Sequence, residues 1–471
     1  MDFWRKTSRQ LAAAIGKVFN ERIGQRIAAI AISAIVVALS VALWTGLNSG
    51  RRHSPTTSSA MQKTNLAVTS IRPAIAVLPF ANQSDDPTRE YFADGVTQDI
   101  INALGRFSAL TVMSWNAVLP LKGKTASPGE VTGSLGVRYL VEGSVRQAGD
   151  RLRVTAQLVG SDGRVIWSDK FDEALADVFV LQDKIVGWIV GALAIRVTQT
   201  EQRRVRSKPT DSLLAYDYVL RARPALQRPD RARIVEARSF LRRAIELDPD
   251  YAEAYQALAE THHIDVSWGW AQSPAATLRR AEDEANRALR LNDGEVGAHI
   301  LLGRVHLFYN RFEQAKEEMD RAIAINPSDA AGLGGRGNIL MWLGETDAAI
   351  EALEQAQRVD PDLNAVDRFS LAMAYYLKRR YDAAIAQAEL NLRNSADSVF
   401  SYVVLAAALA QLGLDTEVAR VSTRMRQAYP AFDAQEFGSK FRKPADLAHL
   451  RDGLRKADLS HAAGAPPAAG K

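Results

Sequence analysis

The chain has 471 residues, enough for two or three domains, and its 47% hydrophobic and 24% charged residues are typical of chains that fold around packed cores. Its net charge of +5 is too small to argue for nucleic-acid binding. The chain contains no cysteine, which excludes disulfide bonds, thiol catalysis and thiolate metal sites.

An uncharged segment near the amino terminus is predicted to cross a membrane. Residues 27–47 read IAAIAISAIVVALSVALWTGL. As a helix they would span roughly 31 Å at ~1.5 Å per residue, which matches a bilayer core about 30 Å thick. A cleaved signal peptide is the alternative, but its apolar core is usually only ~7–15 residues long. We therefore predict a transmembrane helix at 27–47, preceded by a basic cytoplasmic flank at 1–26.

Basic residues around this segment predict its orientation. Positively charged flanks tend to stay in the cytoplasm. Six basic residues precede the segment and three follow it closely, namely Arg5, Lys6, Arg9, Lys17, Arg22 and Arg26 before it and Arg51, Arg52 and Lys63 after it. The prediction is a single-pass protein of the inner (cytoplasmic) membrane, with its amino terminus cytoplasmic and its carboxy-terminal domains periplasmic.

Two segments of different composition follow the predicted helix. Residues 48–72 are rich in serine and threonine and are predicted to be a flexible tether. In residues 73–200, strands are predicted at 75–80, 110–113, 139–146, 151–159 and 165–171, and helices at 91–104, 130–137 and 178–197. The turns QAGD and GSDG join the last three strands and are typical of hairpins. This pattern predicts an α/β (α+β) domain.

Several short motifs of this domain occur together in a known module. In order they are IAVLPF, EYFADG, LGVRYLVEGSVR, DRLRVTAQLV, VIWSDKFD and DVFVLQDKI. With them, residues 73–200 resemble the TolB amino-terminal-domain-like module, which precedes tetratricopeptide repeats in bacterial multidomain proteins. Those relatives commonly carry a class III adenylate cyclase domain or a winged-helix DNA-binding domain in front. Only 26 residues precede the predicted membrane helix here, so we expect neither domain.

Four acidic residues follow the first predicted strand, where α/β enzymes often place ligand-binding carboxylates. They are Asp85, Asp86, Glu90 and Asp94. The stretch lacks a partnering histidine and a glycine-rich phosphate loop. Acidic side chains also favour helix amino termini, where they bind free N–H groups. Capping and solvation are therefore the favoured interpretation, and a metal or catalytic role is the alternative.

A fixed period begins at about residue 212. The tripeptides LDP, LND, INP and VDP start at 247, 291, 325 and 359, at steps of 44, 34 and 34 residues. A 34-residue period is the tetratricopeptide signature, and the longer first step places ten extra residues near 265–274. Small residues recur in register at Gly303, Gly337 and Ala372. We predict an all-α tetratricopeptide-repeat solenoid of five or six units at 212–430, then a capping helix and disordered tail at 431–471.

The tetratricopeptide resemblance implies a binding groove. In that family the first helix of each unit lines a concave groove that binds peptides or partner helices. By register, the predicted protein-binding groove residues are Arg304, Leu307, Phe308, Asn338, Met341, Trp342, Met373 and Tyr376. These residue types are favoured in binding patches, and packing in the core is the alternative for each. The family's clamp for chaperone tails is not expected, because Ile300 holds its lysine position.

These patterns predict a non-enzymatic, membrane-anchored scaffold or sensor that presents an α/β module and a tetratricopeptide groove to partner proteins. We predict no cofactor, no metal, no nucleic acid and no small-molecule substrate, with the membrane contacted through residues 27–47. The alternative, implied by the resemblance, is the regulatory half of an adenylate-cyclase-type signalling system whose catalysis another protein supplies.

Overall fold

The fold is known here from a computed structural model that describes residues 72–195, 198, 201, 208–395, 398–430 and 432–459. The predicted flank at 1–26, the transmembrane helix at 27–47, almost all of the tether and the tail beyond 459 lie outside these residues. Within the described ranges, no helix combines the length and apolar character needed to cross a membrane. Membrane anchoring and topology therefore stay predictions.

The segment after residue 72 forms a mixed β-sheet. Its strands are β1 (Ala74–Val77), β2 (Ala81–Asn82), β3 (Thr111–Val112), β4 (Tyr139–Ala148), β5 (Arg151–Gly160) and β6 (Val165–Ala174). The order is β3-β1-β4-β5-β6, and β2 also pairs with β4. β1 is parallel to β3 and β4, whereas β4, β5 and β6 are successively antiparallel.

Two long helices cover one face of this sheet. The helices of the segment are α1 (Glu90–Gly105), α2 (Trp115–Val118), α3 (Pro128–Leu135) and α4 (Val178–Ala192), with 3-10 turns at Pro87–Arg89, Leu119–Leu121 and Leu175–Asp177. In α1, Val96, Ile100 and Leu104 recur at helical spacing and are buried in the core shared with α4 and the strands. The predicted α/β class is therefore confirmed for this segment.

Two elements end earlier than the sequence pattern predicts. β1 ends at Val77 rather than residue 80, because Pro79 has no N–H to donate and Phe80 N turns to Thr97 Oγ1 at 3.0 Å. α4 ends at Ala192 rather than residue 197. Beyond it Ala194 adopts a left-handed φ of 51°, a conformation that terminates helices.

The acidic residues after β1 have structural partners. Asp86 Oδ1 accepts a hydrogen bond from Thr88 N at 2.9 Å and caps the first 3-10 turn, so the capping interpretation is confirmed for this residue. Lys122 Nζ lies 2.8 Å from Glu90 Oε1 and 2.5 Å from Asp94 Oδ1. These two carboxylates therefore hold Lys122 against the start of α1.

Residues 213–428 form helix pairs that stack along the chain. They are α5 (Leu213–Gln227) with α6 (Arg231–Leu247), α7 (Ala252–Ser267) with α8 (Pro274–Leu291), α9 (Val296–Phe308) with α10 (Phe312–Ile325), α11 (Ala330–Leu343) with α12 (Thr346–Val359), α13 (Ala365–Leu377) with α14 (Tyr381–Asn394), and α15 (Val399–Gln411) with α16 (Asp415–Ala428). A short helix α17 (Ala434–Phe437), a 3-10 turn at Gly438–Lys440 and α18 (Pro444–Lys456) follow. The predicted all-α solenoid is confirmed.

Close approach of paired helices explains the recurring small residues. A Cβ atom at Gly303 would lie 3.2 Å from Ala315 O, and one at Gly337 would overlap the side chain of Leu353. Ala372 occupies the same slot in the next pair and is fully buried. Larger side chains there would push the two helices of a pair apart. Close packing within each pair therefore requires a small residue at this position of every 34-residue repeat.

The ten extra residues near 265–274 lie where α7 turns into α8. Both helices are long, with 16 and 18 residues, against 13 and 14 in the pair that follows. Trp268 is 57% exposed, and its ring centroid lies 5.5 Å from that of Trp270. Trp270 packs against the core of the first two pairs. Trp270 is therefore partly buried, whereas Trp268 lies on the surface.

The α/β segment packs directly on the solenoid, and the described residues between 72 and 459 form one compact unit. Arg223 on α5 donates to Asp99 Oδ1 on α1 at 2.7 Å and to Glu253 Oε1 on α7 at 2.6 Å. Further along the solenoid, Ser114 N donates to Val359 O at 2.8 Å. The α/β segment thus contacts both the first pair and the end of α12.

Candidate functional site

The predicted groove residues lie on three first helices, α9, α11 and α13. Leu307 is partly buried and packs against the solenoid core. Exposure divides the others into three groups: Phe308 and Arg304 on α9 are accessible, Asn338, Met341 and Met373 are buried within the solenoid, and Trp342 and Tyr376 are covered by the end of the chain. Partner binding by these residues stays a prediction, and the three groups have different physical roles.

The accessible group offers an aromatic ring beside a charge. Phe308 is 49% exposed, and Arg304 Nη1 lies 3.2 Å from Glu260 Oε1 on α7. Burial alone would raise the pKa of the Glu260 carboxyl, but Arg304 and His263 lower it to about 2. The Arg304–Glu260 pair therefore stays charged at neutral pH, next to an apolar ring that faces solvent.

The buried group holds helices together. Asn338 is 5% exposed and donates from Nδ2 to Ser370 Oγ at 2.6 Å, which ties α11 to α13. Met341 and Met373 have no exposed surface and belong to the core of the last repeats. Their side chains point between helices, because they lie on the helix face that packs against neighbouring helices. In this structure none of the three can reach a partner without repacking.

Trp342 is covered by residues 432–459, which we call the C-terminal segment. The Trp342 ring centroid lies 4.9 Å from that of Phe441 and 6.4 Å from that of Phe437, both edge-on. Trp342 O also accepts a hydrogen bond from Arg442 N at 3.0 Å. Edge-on aromatic contacts of this kind contribute about 0.5–1.5 kcal/mol each beyond their buried area. The segment therefore binds Trp342 by both ring and backbone.

Tyr376 is covered by α18 of the same segment. Its ring stacks on that of His449 at 4.6 Å, and its hydroxyl donates to His449 O at 2.9 Å. Gly453 lets α18 approach closely, since a Cβ atom there would lie only 3.0 Å from Ala407 Cβ on α15. α18 thus lies across the first helices of the last two pairs.

Two further contacts fasten the C-terminal segment. Just before α18, the Arg442 guanidinium lies 4.6 Å from the centre of the Phe312 ring and donates to Asn310 O at 3.2 Å. At its end, Ser422 Oγ on α16 donates to Ala457 O at 2.8 Å. From Arg442 to Ala457 the segment therefore runs from the turn after α9 to the last helix pair.

The capping helix predicted within 431–471 is α18, which spans 444–456, but the path of the segment before it is not evident from the sequence. The crossing to Trp342 was missed because it depends on Phe437 and Phe441, which lie outside the helix. The spacing of Phe432, Phe437 and Phe441 in an otherwise polar stretch is the signal that could have indicated it.

The comparisons with known proteins agree with the repeat architecture. Residues 296–329 and 331–363 match the sequence model of the tetratricopeptide repeat family. The chain contains tetratricopeptide repeats. This match covers α9 to α12, which carry Arg304, Phe308 and Trp342. The resemblance of residues 73–200 to the TolB amino-terminal-like module stays a prediction.

Two curated relatives match part of the chain. "Putative adenylate cyclase 3" of Rhizobium meliloti (strain 1021) is 35% identical over 277 residues, which is 59% of this chain and 47% of the relative. Anaphase-promoting complex subunit 3 of Schizosaccharomyces pombe (strain 972) is 25% identical over 154 residues, 33% of this chain and 22% of the relative. The chain thus spans less than half the length of either relative.

Solved structures with repeat solenoids are similar in part. PilF of Pseudomonas aeruginosa aligns with 48% of this chain and 97% of its own, at 19% identity and a TM-score of 0.39. The Cut9–Hcn1 structure of the anaphase-promoting complex aligns with 59% of this chain and 54% of its own, at 15% identity and a TM-score of 0.37. Scores this low carry no inference about function.

Proposed function

We propose that the protein is a membrane-anchored scaffold that binds partner proteins in its tetratricopeptide groove, and that its own C-terminal segment occupies part of that groove. The observation that carries the proposal is the burial of Trp342 and Tyr376 under this segment, while Phe308 on the neighbouring repeat remains open. A surface that already binds one peptide of this chain has the chemistry to bind another.

The C-terminal segment indicates which partner sequences fit. It places a phenylalanine against Trp342, an arginine over Phe312, and an amphipathic helix against α15. Helices that lie in an apolar groove are a recurring mode of peptide recognition. We infer that partners present a helix preceded by an aromatic residue and a basic residue, and that they compete with the C-terminal segment or extend from it towards Phe308.

Loss of the open groove residues is expected to abolish partner capture. The full chain, purified from detergent-solubilised membranes with its bound proteins, is compared with an Arg304→Ala/Phe308→Ala variant. Aromatic and arginine anchors can each contribute 2 kcal/mol or more, so recovery of a groove partner should fall by about tenfold or more. Val235→Ala is the control, because Val235 is 60% exposed on α6, a second helix.

The same experiment can contradict the proposal. Equal recovery of every bound protein by the wild type and the Arg304→Ala/Phe308→Ala variant would exclude the open groove as the binding surface. A loss shared with Val235→Ala would indicate a general defect in folding.

A second function is favoured by the relative named for adenylate cyclase activity, which is 35% identical over 277 residues. Under this alternative the chain is the regulatory half of a cyclase-type signalling system, and a separate protein supplies catalysis. The captured partner distinguishes the two functions. A nucleotidyl cyclase or kinase supports signalling, whereas envelope-assembly proteins support a structural scaffold.

Topology is expected to follow the six basic residues before the apolar stretch at 27–47 and the three after it. A reporter that is active only outside the cytoplasm, fused after Lys471, should be active. Activity of a cytoplasm-only reporter at the same position would contradict the proposed orientation and favour a cytosolic signalling role.

A further inference from the structure

A cavity of about 280 Å³ lies among α14, α15 and α16, in the last two helix pairs. Part of its lining is apolar and dry, because Leu405 on α15 and Val421 on α16 contribute to it and are both buried. Ligand pockets usually measure about 300–1,000 Å³, so a volume of this size accommodates a small organic molecule.

Three arginines line the same cavity. Arg393 lies on α14, and Arg420 and Arg424 lie one turn apart on α16. None of the three forms an ion pair with another described residue. By contrast, Arg426 on the same helix pairs with Asp458 at 2.9 Å. The guanidinium groups around the cavity are therefore available to an anion from outside the chain.

The lining of the cavity carries a net positive charge. Glu389 on α14 is the one acidic residue among the described residues that line it, and it lies within ion-pair distance of none of the three arginines. Three arginines against one glutamate leave a net charge of +2. A phosphate monoester carries about −1.5 to −2 near neutral pH, so it would nearly balance this charge.

Tyr402 on α15 is the buried polar residue that points to a ligand. It lines the cavity, is only 4% exposed, and its ring centre lies 6.0 Å from the Arg424 guanidinium. Its hydroxyl hydrogen-bonds to no described residue, yet it is not one of the unpaired polar atoms that the fold seals off from solvent. The small accessible part of Tyr402 therefore includes the hydroxyl, and the cavity is the space into which it can donate.

We propose that this cavity binds a small phosphate monoester whose organic part is apolar. The three guanidinium groups donate to the phosphate oxygens, for which the planar, permanently charged arginine side chain is well suited. The Tyr402 hydroxyl adds a neutral donor beside them. The organic part covers Leu405 and Val421, which inorganic phosphate would leave in contact with water.

This site is separate from the predicted groove. Two of the three helices around the cavity, α14 and α16, are the second helices of their pairs. The predicted groove residues lie on the first helices α9, α11 and α13. Binding of a phosphate monoester here therefore does not depend on the partner binding proposed above, and each can be tested without the other.

Calorimetric titration with phenyl phosphate tests the proposal, using the full chain purified in a non-ionic detergent. Phenyl phosphate should bind saturably with a dissociation constant below about 1 mM. Inorganic phosphate should bind about tenfold more weakly or worse, because it buries no apolar surface. Phenol, which keeps the ring but lacks the charge, should show no saturable binding.

Substitutions in the lining should change the affinity in opposite directions. Arg424→Gln should weaken binding of phenyl phosphate by about tenfold or more, because it removes a charged donor. Tyr402→Phe keeps the ring and its packing and should weaken binding by about threefold or more, through loss of the hydroxyl donor. Glu389→Gln should strengthen binding, because it removes the negative charge from the lining.

The control variant is Arg233→Gln, the same change at an exposed arginine on α6 that does not line the cavity, and it should bind as the wild type does. Tyr402→Phe serves as the deciding variant if Arg424→Gln fails to fold. The proposal would be overturned by absence of saturable binding of phenyl phosphate or by phenol binding as tightly. Equal affinity in the wild type and the deciding variant, or an equal loss in Arg233→Gln, would overturn it as well.

Discussion

Replacing Trp342 with alanine is expected to lower the free energy of unfolding by about 3–5 kcal/mol. Trp342 is 5% exposed and packs against Phe369 at 6.2 Å as well as against Phe441 at 4.9 Å. The variant would leave a cavity between α11 and the C-terminal segment, because neither element can close over the lost ring. Urea denaturation followed by circular dichroism measures the change.

Trp268→Ala is the matched control for this prediction. The same residue type is removed, but Trp268 is 57% exposed in the turn between α7 and α8. Its loss should cost less than about 1 kcal/mol, as for most surface substitutions. If both variants unfold at the wild-type urea concentration, Trp342 is not part of the core. Its role in partner binding would then have to be measured directly.

Asp367→Asn is expected to stabilise the chain at alkaline pH. Burial raises the pKa of Asp367 to about 7 in the folded chain, against its ordinary value of 3.8. A raised pKa contributes stability below the unfolded value, and this stability is lost as the pH rises through the folded value. At pH 8 the wild type therefore bears a buried negative charge that asparagine lacks, and the variant should be more stable by roughly 2–4 kcal/mol.

The pH dependence separates this effect from a change in packing. Urea midpoints of the wild type and Asp367→Asn should nearly coincide near pH 4 and diverge between pH 4 and pH 8. Asp347→Asn, at an exposed position, should show no such divergence. A variant that is less stable than the wild type at both pH values would contradict the assignment of an uncompensated charge to Asp367.

The repeat architecture could be predicted from the sequence because its causes are local. Gly303 and Gly337 recur in register since each pair of helices must approach closely at that position. The strands β4, β5 and β6 were predicted in place because alternating residues and glycine-containing turns encode them. These patterns depend only on residues within one or two neighbouring elements, so they can be recognised in a single sequence.

What the sequence did not reveal depends on contacts between distant residues. Trp342 and Phe441 are about a hundred positions apart, and nothing near Trp342 indicates that its ring is covered. Likewise, Asp360 stands in the sequence as an ordinary acidic residue at the end of a repeat, and only the fold shows that Ser114 of the α/β segment lies against it. The occupied groove and the burial of Asp360 both result from tertiary packing.

Occupation of the groove by the C-terminal segment can be tested by measuring binding of that segment in trans. A fluorescently labelled peptide of residues 432–459 is titrated, with anisotropy as the readout, against the full chain and against a chain that ends at residue 431. We expect saturable binding to the shortened chain and much weaker binding to the full chain, because the tethered segment of the full chain competes at a high effective concentration. Equal binding to the two chains, or no binding to a folded shortened chain, would contradict this occupation of the groove.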